Sequence, residues 1–169
     1  MTNSLPYIFL DNDYNLNLAL LILVLDEHGV SARGKNALDF DKLQVFLYLI
    51  KNPSKINLAL QAAGKKETTI EALHTYTIES RSSNVDILFK REKTKILIKS
   101  AASYGFLAVE RLDDGALMYF LSGDGEKFCS ELTGAHFDSV RRLVLALKPL
   151  LSVSTSKLFS ILSGIFKGF

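Results

Sequence analysis

Several things are scarce in this chain of 169 residues, and each scarcity excludes something. A single cysteine, Cys129, leaves no disulfide framework and no cysteine-built metal site. Three prolines, with 48% hydrophobic residues, argue for a packed core rather than a disordered segment. The ten glycines are scattered as caps and turns, so no glycine-rich phosphate loop forms. The three histidines, His28, His74 and His136, lie far apart and make no His-x-x-x-His or Glu-x-x-His pair. Ser122-Gly-Asp-Gly125 lacks the Gly-x-Ser-x-Gly order of a nucleophile elbow. The expectation is a protein that is not an enzyme and holds neither metal nor cofactor.

Long apolar runs are also missing. Leu16–Leu25 is the most hydrophobic stretch, at about half of the roughly 20 residues a bilayer span needs. Asp11 and Asp13 precede it where a signal peptide would carry basic residues. It reads as a central core helix of a cytoplasmic protein with no membrane association.

Charge is balanced overall at +2 but unevenly placed. Residues 90–99 carry Lys90, Arg91, Lys93, Lys95 and Lys99 against Glu92, and residues 136–169 carry Arg141, Arg142, Lys148, Lys157 and Lys167 against Asp138. The remainder of the chain is therefore acidic. Two basic helical segments mark surfaces that can meet something acidic, or two solvated faces.

Helical periodicity and stop signals divide the chain. The first helix is expected over Asn15 to His28, capped by Asn15 and ended by a left-handed Gly29. Asp39 caps a second, striped by Phe40, Leu43, Phe46, Leu47 and Ile50 and ended by Asn52-Pro53. A short third helix runs Ser54 to Ala63 and stops at Gly64, giving a tight helix-turn-helix opening. Thr68-x-x-Glu71 is a capping box for a fourth helix through about Ile78, followed by the polar linker Arg81–Asn84. After a break within 90–93, a basic helix reaches Tyr104-Gly105, with Arg91, Lys95 and Lys99 four apart on one face and Leu97 and Ala101 opposite. Residues 106–111 and 116–121 flank Asp113-Asp114-Gly115, a strong hairpin signal. Ser122 opens a further short helix over about Gly125 to Leu132. Phe137, Val140, Val144 and Leu147 stripe another, ended by Pro149. Leu158, Ile161, Leu162, Ile165 and Phe166 stripe the last.

The fold class this implies is α+β, mainly α: a winged-helix domain with an N-terminal core helix and a C-terminal helical extension, divided at 1–133 and 134–169. Arg91, Lys93, Lys95 and Lys99 are the candidate DNA- or partner-binding residues. Lysine suits phosphate contact more than base reading, and the acidic hairpin (Glu110, Asp113, Asp114) argues against a wing lying on DNA. Nonspecific DNA contact or an acidic protein partner therefore fits better than sequence-specific recognition. The stripe Leu158, Ile161, Leu162, Ile165 and Phe166 is the candidate partner-docking surface, its alternative being packing on the domain core. Cys129 is expected to be a buried structural thiol.

Laid end to end, Leu16–Leu25, the segment Leu38 to Pro53, Ser103-Tyr-Gly-Phe-Leu107 with Phe120-Leu-Ser-Gly-Asp-Gly125, and Ser156-Lys-Leu-Phe-Ser-Ile-Leu162 give the chain a family likeness. It resembles the small middle components of bacterial three-component ABC-ATPase systems, including the Lamassu-type anti-phage defence complexes. The resemblance implies a noncatalytic winged-helix subunit bridging an SMC-like ABC ATPase and an effector such as a nuclease. It offers no catalytic residues to carry over. The competing reading from the residues alone is a stand-alone winged-helix DNA-binding regulator.

Overall fold

The computed structural model describes residues 13–30, 34–70 and 91–167, with side chains to Phe166. The expected capping-box helix from Thr68 to Ile78, the linker Arg81–Asn84, the segment 85–90 and His74 lie outside the described residues, except for Thr68–Ile70, which are not helical. The described elements are mostly helical with one small antiparallel sheet, so the protein is α+β and mainly α.

Helix α1 (Tyr14–His28) is apolar on nearly every side and buried from Asn17 to Leu25. An all-round apolar helix has no solvent face to offer, so other elements must surround it. It packs against the helices α4, α5 and α6 and the strand β2 defined below. Its cap is Asp13, whose carboxylate accepts from Leu16 N at 3.0 Å, and not the expected Asn15. Asp13 holds the extended backbone that an N-cap requires, whereas Asn15 lies inside the first turn.

Gly29 is a second correction. Its φ of −59° is ordinary right-handed backbone, so no left-handed stop explains it. A Cβ there would stand 2.5 Å from Leu25 O and 3.1 Å from Phe120 Cα. Glycine is needed for close approach to the hairpin, not for its conformational freedom.

Helix α2 (Phe40–Lys51) is capped by Asp39, which accepts from Lys42 N at 2.7 Å, and it ends before Pro53 as expected. A 3₁₀ turn (Pro53–Lys55) leads into α3 (Ile56–Ala62), and Gly64 at φ +69° takes the left-handed position after it. Asn57 ties this end down, accepting from Thr68 N at 3.0 Å and donating to Thr68 O at 2.9 Å.

Helix α4 (Arg91–Ser103) runs directly into a hairpin of β1 (Leu107–Arg111) and β2 (Leu117–Leu121). The register pairs Leu107 with Leu121 and Arg111 with Leu117, and Gly115 turns at φ +85°. The far edge of β2 takes an isolated bridge to Asp39, with Tyr119 N donating to Leu38 O at 2.9 Å. Helix α5 (Gly123–Glu131) starts at Ser122, whose hydroxyl accepts from Gly125 N. Helix α6 (Ala135–Ala146) is followed by a 3₁₀ turn through Ser152 and by α7 (Thr155–Lys167).

One hydrophobic cluster runs through all these elements, from Leu18 to Ile165. His28 belongs to it. Its Nε2 lies 2.7 Å from Val144 O, and its ring meets Phe46 edge-on at 5.6 Å. Burial pushes its pKa below the ordinary 6.5. The unfolded chain thus takes up a proton below about pH 6.5 that the folded chain resists. Stability should accordingly fall from pH 7 toward pH 5, by at most about 1.4 kcal/mol per pH unit from this group. Melting temperatures across that range should show the slope in the parent chain and a flatter one in His28→Gln.

Cys129 is a buried thiol, as expected, with burial pushing its pKa up. Arg141 pins its neighbourhood, donating to Cys129 O at 3.0 Å and Leu132 O at 3.1 Å and facing Asp26 at 3.6 Å.

Candidate functional site

The basic helix α4 forms because Leu97 and Ala101 recur at helical spacing and bury against α1. Thr94 joins them on the buried face, which sequence reading missed since a threonine carries no apolar signal of its own. With that face spent on the core, Arg91, Lys93, Lys95 and Lys99 are all exposed, and three of them follow one side of the helix as expected.

The four cations are not equivalent. Arg91 is held: its Nη1 lies 2.6 Å from Asp41 Oδ1, and its guanidinium sits 4.6 Å above the Phe40 ring. It latches α4 onto the first turn of α2, a contact between segments 50 residues apart in sequence that no local pattern reveals. Lys95 pairs with Glu92 at 2.7 Å on the helix surface. That hydrogen bond, with the nearby Lys95 and Lys99 charges, holds the Glu92 carboxyl below its usual range. Lys93 and Lys99 extend into solvent. The outward face that remains is Lys95 and Lys99 with one compensated carboxylate, while Lys93 stands on the other flank of the helix.

This inequality is testable. Arg91→Glu places a carboxylate beside Asp41 and should cost about 1 kcal/mol, since the pair is half exposed and screened. Lys95→Glu with Lys99→Glu should stay within about 0.5 kcal/mol of the parent. Urea midpoints of the two variants would separate them, and equal shifts would remove the latch.

The hairpin beside α4 is acidic at its tip. Asp113 and Asp114 are exposed, and Glu110 accepts a hydrogen bond from Asn36. At its base stands a row of rings. Tyr104 lies 5.6 Å from Phe106, which stacks on Phe128 at 4.5 Å and 14°. Tyr104 is 59% exposed and Ile96 is 53% exposed; the ring lies seven residues from Leu97, on the side of α4 away from Lys95. Sequence reading used Tyr104-Gly105 only as a helix end, because exposure of an aromatic ring is set by tertiary packing.

The stripe on α7 turns inward. Leu158, Leu162 and Ile165 are buried, Ile161 and Phe166 are partly buried, and α7 packs on α2 and α3. Phe166 meets Tyr48 edge-on at 5.5 Å, and Thr155 donates to Asp39 Oδ2 at 3.1 Å. Within the chain, the five residues face the core rather than an open surface.

Among the described residues no group of three or more His, Cys, Asp or Glu is placed to hold a metal ion. Asp39 and Asp13 are caps and Asp41 is paired. No single described helix is long and apolar enough to cross a membrane. The one pair that passes together, Ala135–Ser152 with Thr155–Phe166, is bent by 118°.

The sequence model of the family described as "ABC-three component (ABC-3C) system Middle Component 4" matches residues 28–160. Searches of curated proteins and of solved structures find no match. The matched span runs from the end of α1 into α7 and includes the basic helix and hairpin.

Proposed function

The chain belongs to the Middle Component 4 family of ABC-three component systems, and from that membership we propose that it is a noncatalytic subunit bridging an SMC-like ABC ATPase and an effector. The family match carries this reading, since a middle component is by its description one of three parts. A defence role of the Lamassu type and a nuclease-like effector complete the proposal.

Within it, the unit from α4 through the hairpin acts as a winged helix. What supports this is the order helix, hairpin, helix, together with the bridge from Asp39 to the hairpin's second strand. The basic face of α4 meets a polyanion or an acidic partner surface, the remaining charge being Lys95 and Lys99. Docking on the ATPase and effector uses surfaces outside the α7 stripe, because that stripe is committed to α2 and α3.

Co-expression with the products of neighbouring genes tests the bridge. The tagged chain should retain an ATPase and a second protein through gel filtration, while the chain alone hydrolyses neither nucleotide nor DNA. A chain that elutes alone and binds one DNA sequence tightly would overturn the bridge in favour of the stand-alone regulator.

A further inference from the structure

We infer that the outer edge of β1 is a docking site for an extended segment of a partner protein, which adds to the hairpin as a further strand beside Leu107, Val109 and Arg111. This rests on the reading of the chain as a bridging subunit, and it names the surface and the form of what docks there.

The alternation of hydrogen bonds in the hairpin is the first observation. Ser122 N donates to Phe106 O at 3.0 Å, and Leu112 N donates to Ala116 O at 2.9 Å. With Leu107 opposite Leu121 and Arg111 opposite Leu117, these bonds place the hydrogen-bonded positions of the first strand at 106, 108, 110 and 112. The N–H and C=O groups of Leu107, Val109 and Arg111 therefore point away from β2. On β2 the same alternation sends Tyr119 N to Leu38 O, so that edge is taken. No described residue pairs through its backbone with the outer edge of β1.

The second observation is that little in the strand guards this edge. Its register with β2 is continuous, without a bulge, and it holds no proline or lysine. Sheets usually cover or blunt such a row of unpaired groups, because it templates pairing with another extended chain.

The side chains decide what the added strand carries. Leu107, Val109 and Arg111 share one side of the sheet with Leu117, Tyr119 and Leu121. That row passes from buried at the base, where Leu107 is 9% exposed, to open at Val109 and Leu117, which are 47% and 44% exposed. Beyond them Arg111 makes no ion pair with a described residue, whereas Glu110 on the opposite side already accepts from Asn36. The occupant that fits is an extended segment with an apolar residue to cover Val109 and an acidic one two positions away, against Arg111. A second copy of this chain fits less well. Antiparallel pairing centred on Val109 would set Arg111 against Leu107 of the other copy, and centring it on Glu110 would oppose two carboxylates.

Hydrogen exchange on the full chain, alone and in the complex retained on co-expression, tests this at single residues. In the chain alone the Val109 and Arg111 amides should exchange freely, while those of Ala108 and Glu110, inside the ladder, are protected. In the complex the Val109 and Arg111 amides should slow by about 100-fold. Val109→Pro deletes an outward N–H and spares the bonds to β2, so it should fold yet weaken assembly about tenfold. Arg111→Glu leaves the backbone intact and should weaken assembly about fivefold. Thermal melts matching the parent show that both variants fold. If a complex forms and the two amides exchange as fast as before, or Val109→Pro folds and assembles like the parent, the edge is not the docking site and the bridge stands on another surface. If the chain alone elutes as a dimer with both amides slowed, a second copy holds the edge instead. If no partner is retained at all, the bridge reading falls and the partner strand falls with it.

Discussion

Deleting residues 154–169 should unfold the chain rather than release a partner from an intact domain. Leu158 and Leu162 are each 1% exposed and Ile165 is 8% exposed, all three against α2 and α3. Burying one such side chain is worth about 1.5–3 kcal/mol, an upper figure because unfolded chains are partly collapsed. Three of them approach the roughly 5–15 kcal/mol of net stability that a whole domain possesses. The deletion also removes the Thr155 hydrogen bond to the Asp39 cap and the Phe166 contact with Tyr48, and it bares the faces of α2 and α3 that α7 covers. Circular dichroism of the truncated chain should show loss of the cooperative thermal transition. A truncated chain that melts like the parent would mean that α7 is dispensable to the core and free to dock. Testing α7 as a partner surface needs its outward residues instead, Ser154, Ser156, Lys157 and Ser160, which can be changed without opening the core.

The contrast between α7 and α4 shows where sequence stops being informative. Periodicity located both helices and named their apolar faces, since a repeat of three to four residues is a local property. It could not say what covers an apolar face. On α7 the cover is α2 and α3, more than 90 residues earlier in the chain. On α4 periodicity placed Arg91, Lys95 and Lys99 on one side, but their different fates depend on Asp41 and Phe40 of another helix. The hairpin was legible to within one residue at the start of each strand, because Asp114-Gly115 between apolar runs is a strong turn signal. Caps were legible only where one candidate stood alone. At the start of α1 Asp13 and Asn15 compete, and only the backbone distinguishes them. Glycines were the least legible of all. Gly64, Gly105 and Gly115 hold positive φ, which a turn pattern anticipates. Gly29 and Gly125 are there because another segment passes too close, and nothing nearby in sequence announces it.

Gly125→Ala should be among the most damaging single substitutions, against the usual expectation for its position. Gly125 sits in the first turn of α5 with ordinary helical backbone, where replacing glycine by alanine normally gains up to about 1 kcal/mol. Here the added Cβ would overlap the Phe106 carbonyl oxygen and stand 3.0 Å from its carbon and 3.2 Å from Leu121 Cδ2. Phe106 O is not free to move away, because it accepts from Ser122 N at 3.0 Å and closes the base of the hairpin. Ser122 also caps α5 through Gly125 N and donates to Gly105 O at 2.5 Å. Relief of the clash must therefore shift the hairpin base, the cap or the Phe106–Phe128 stack, and overpacking against backbone costs about 3 kcal/mol. Gly123 and Gly164 provide the controls, since a Cβ at either meets nothing within 4 Å. Gly164→Ala, inside α7, should raise the urea midpoint, and Gly123→Ala should leave it unchanged or slightly raised. Gly125→Ala should lower it severely and, by moving Phe106, loosen the Tyr104 ring above. A Gly125→Ala chain as stable as Gly123→Ala would show that α5 is free to slide away from the hairpin, and with it the support beneath the aromatic row.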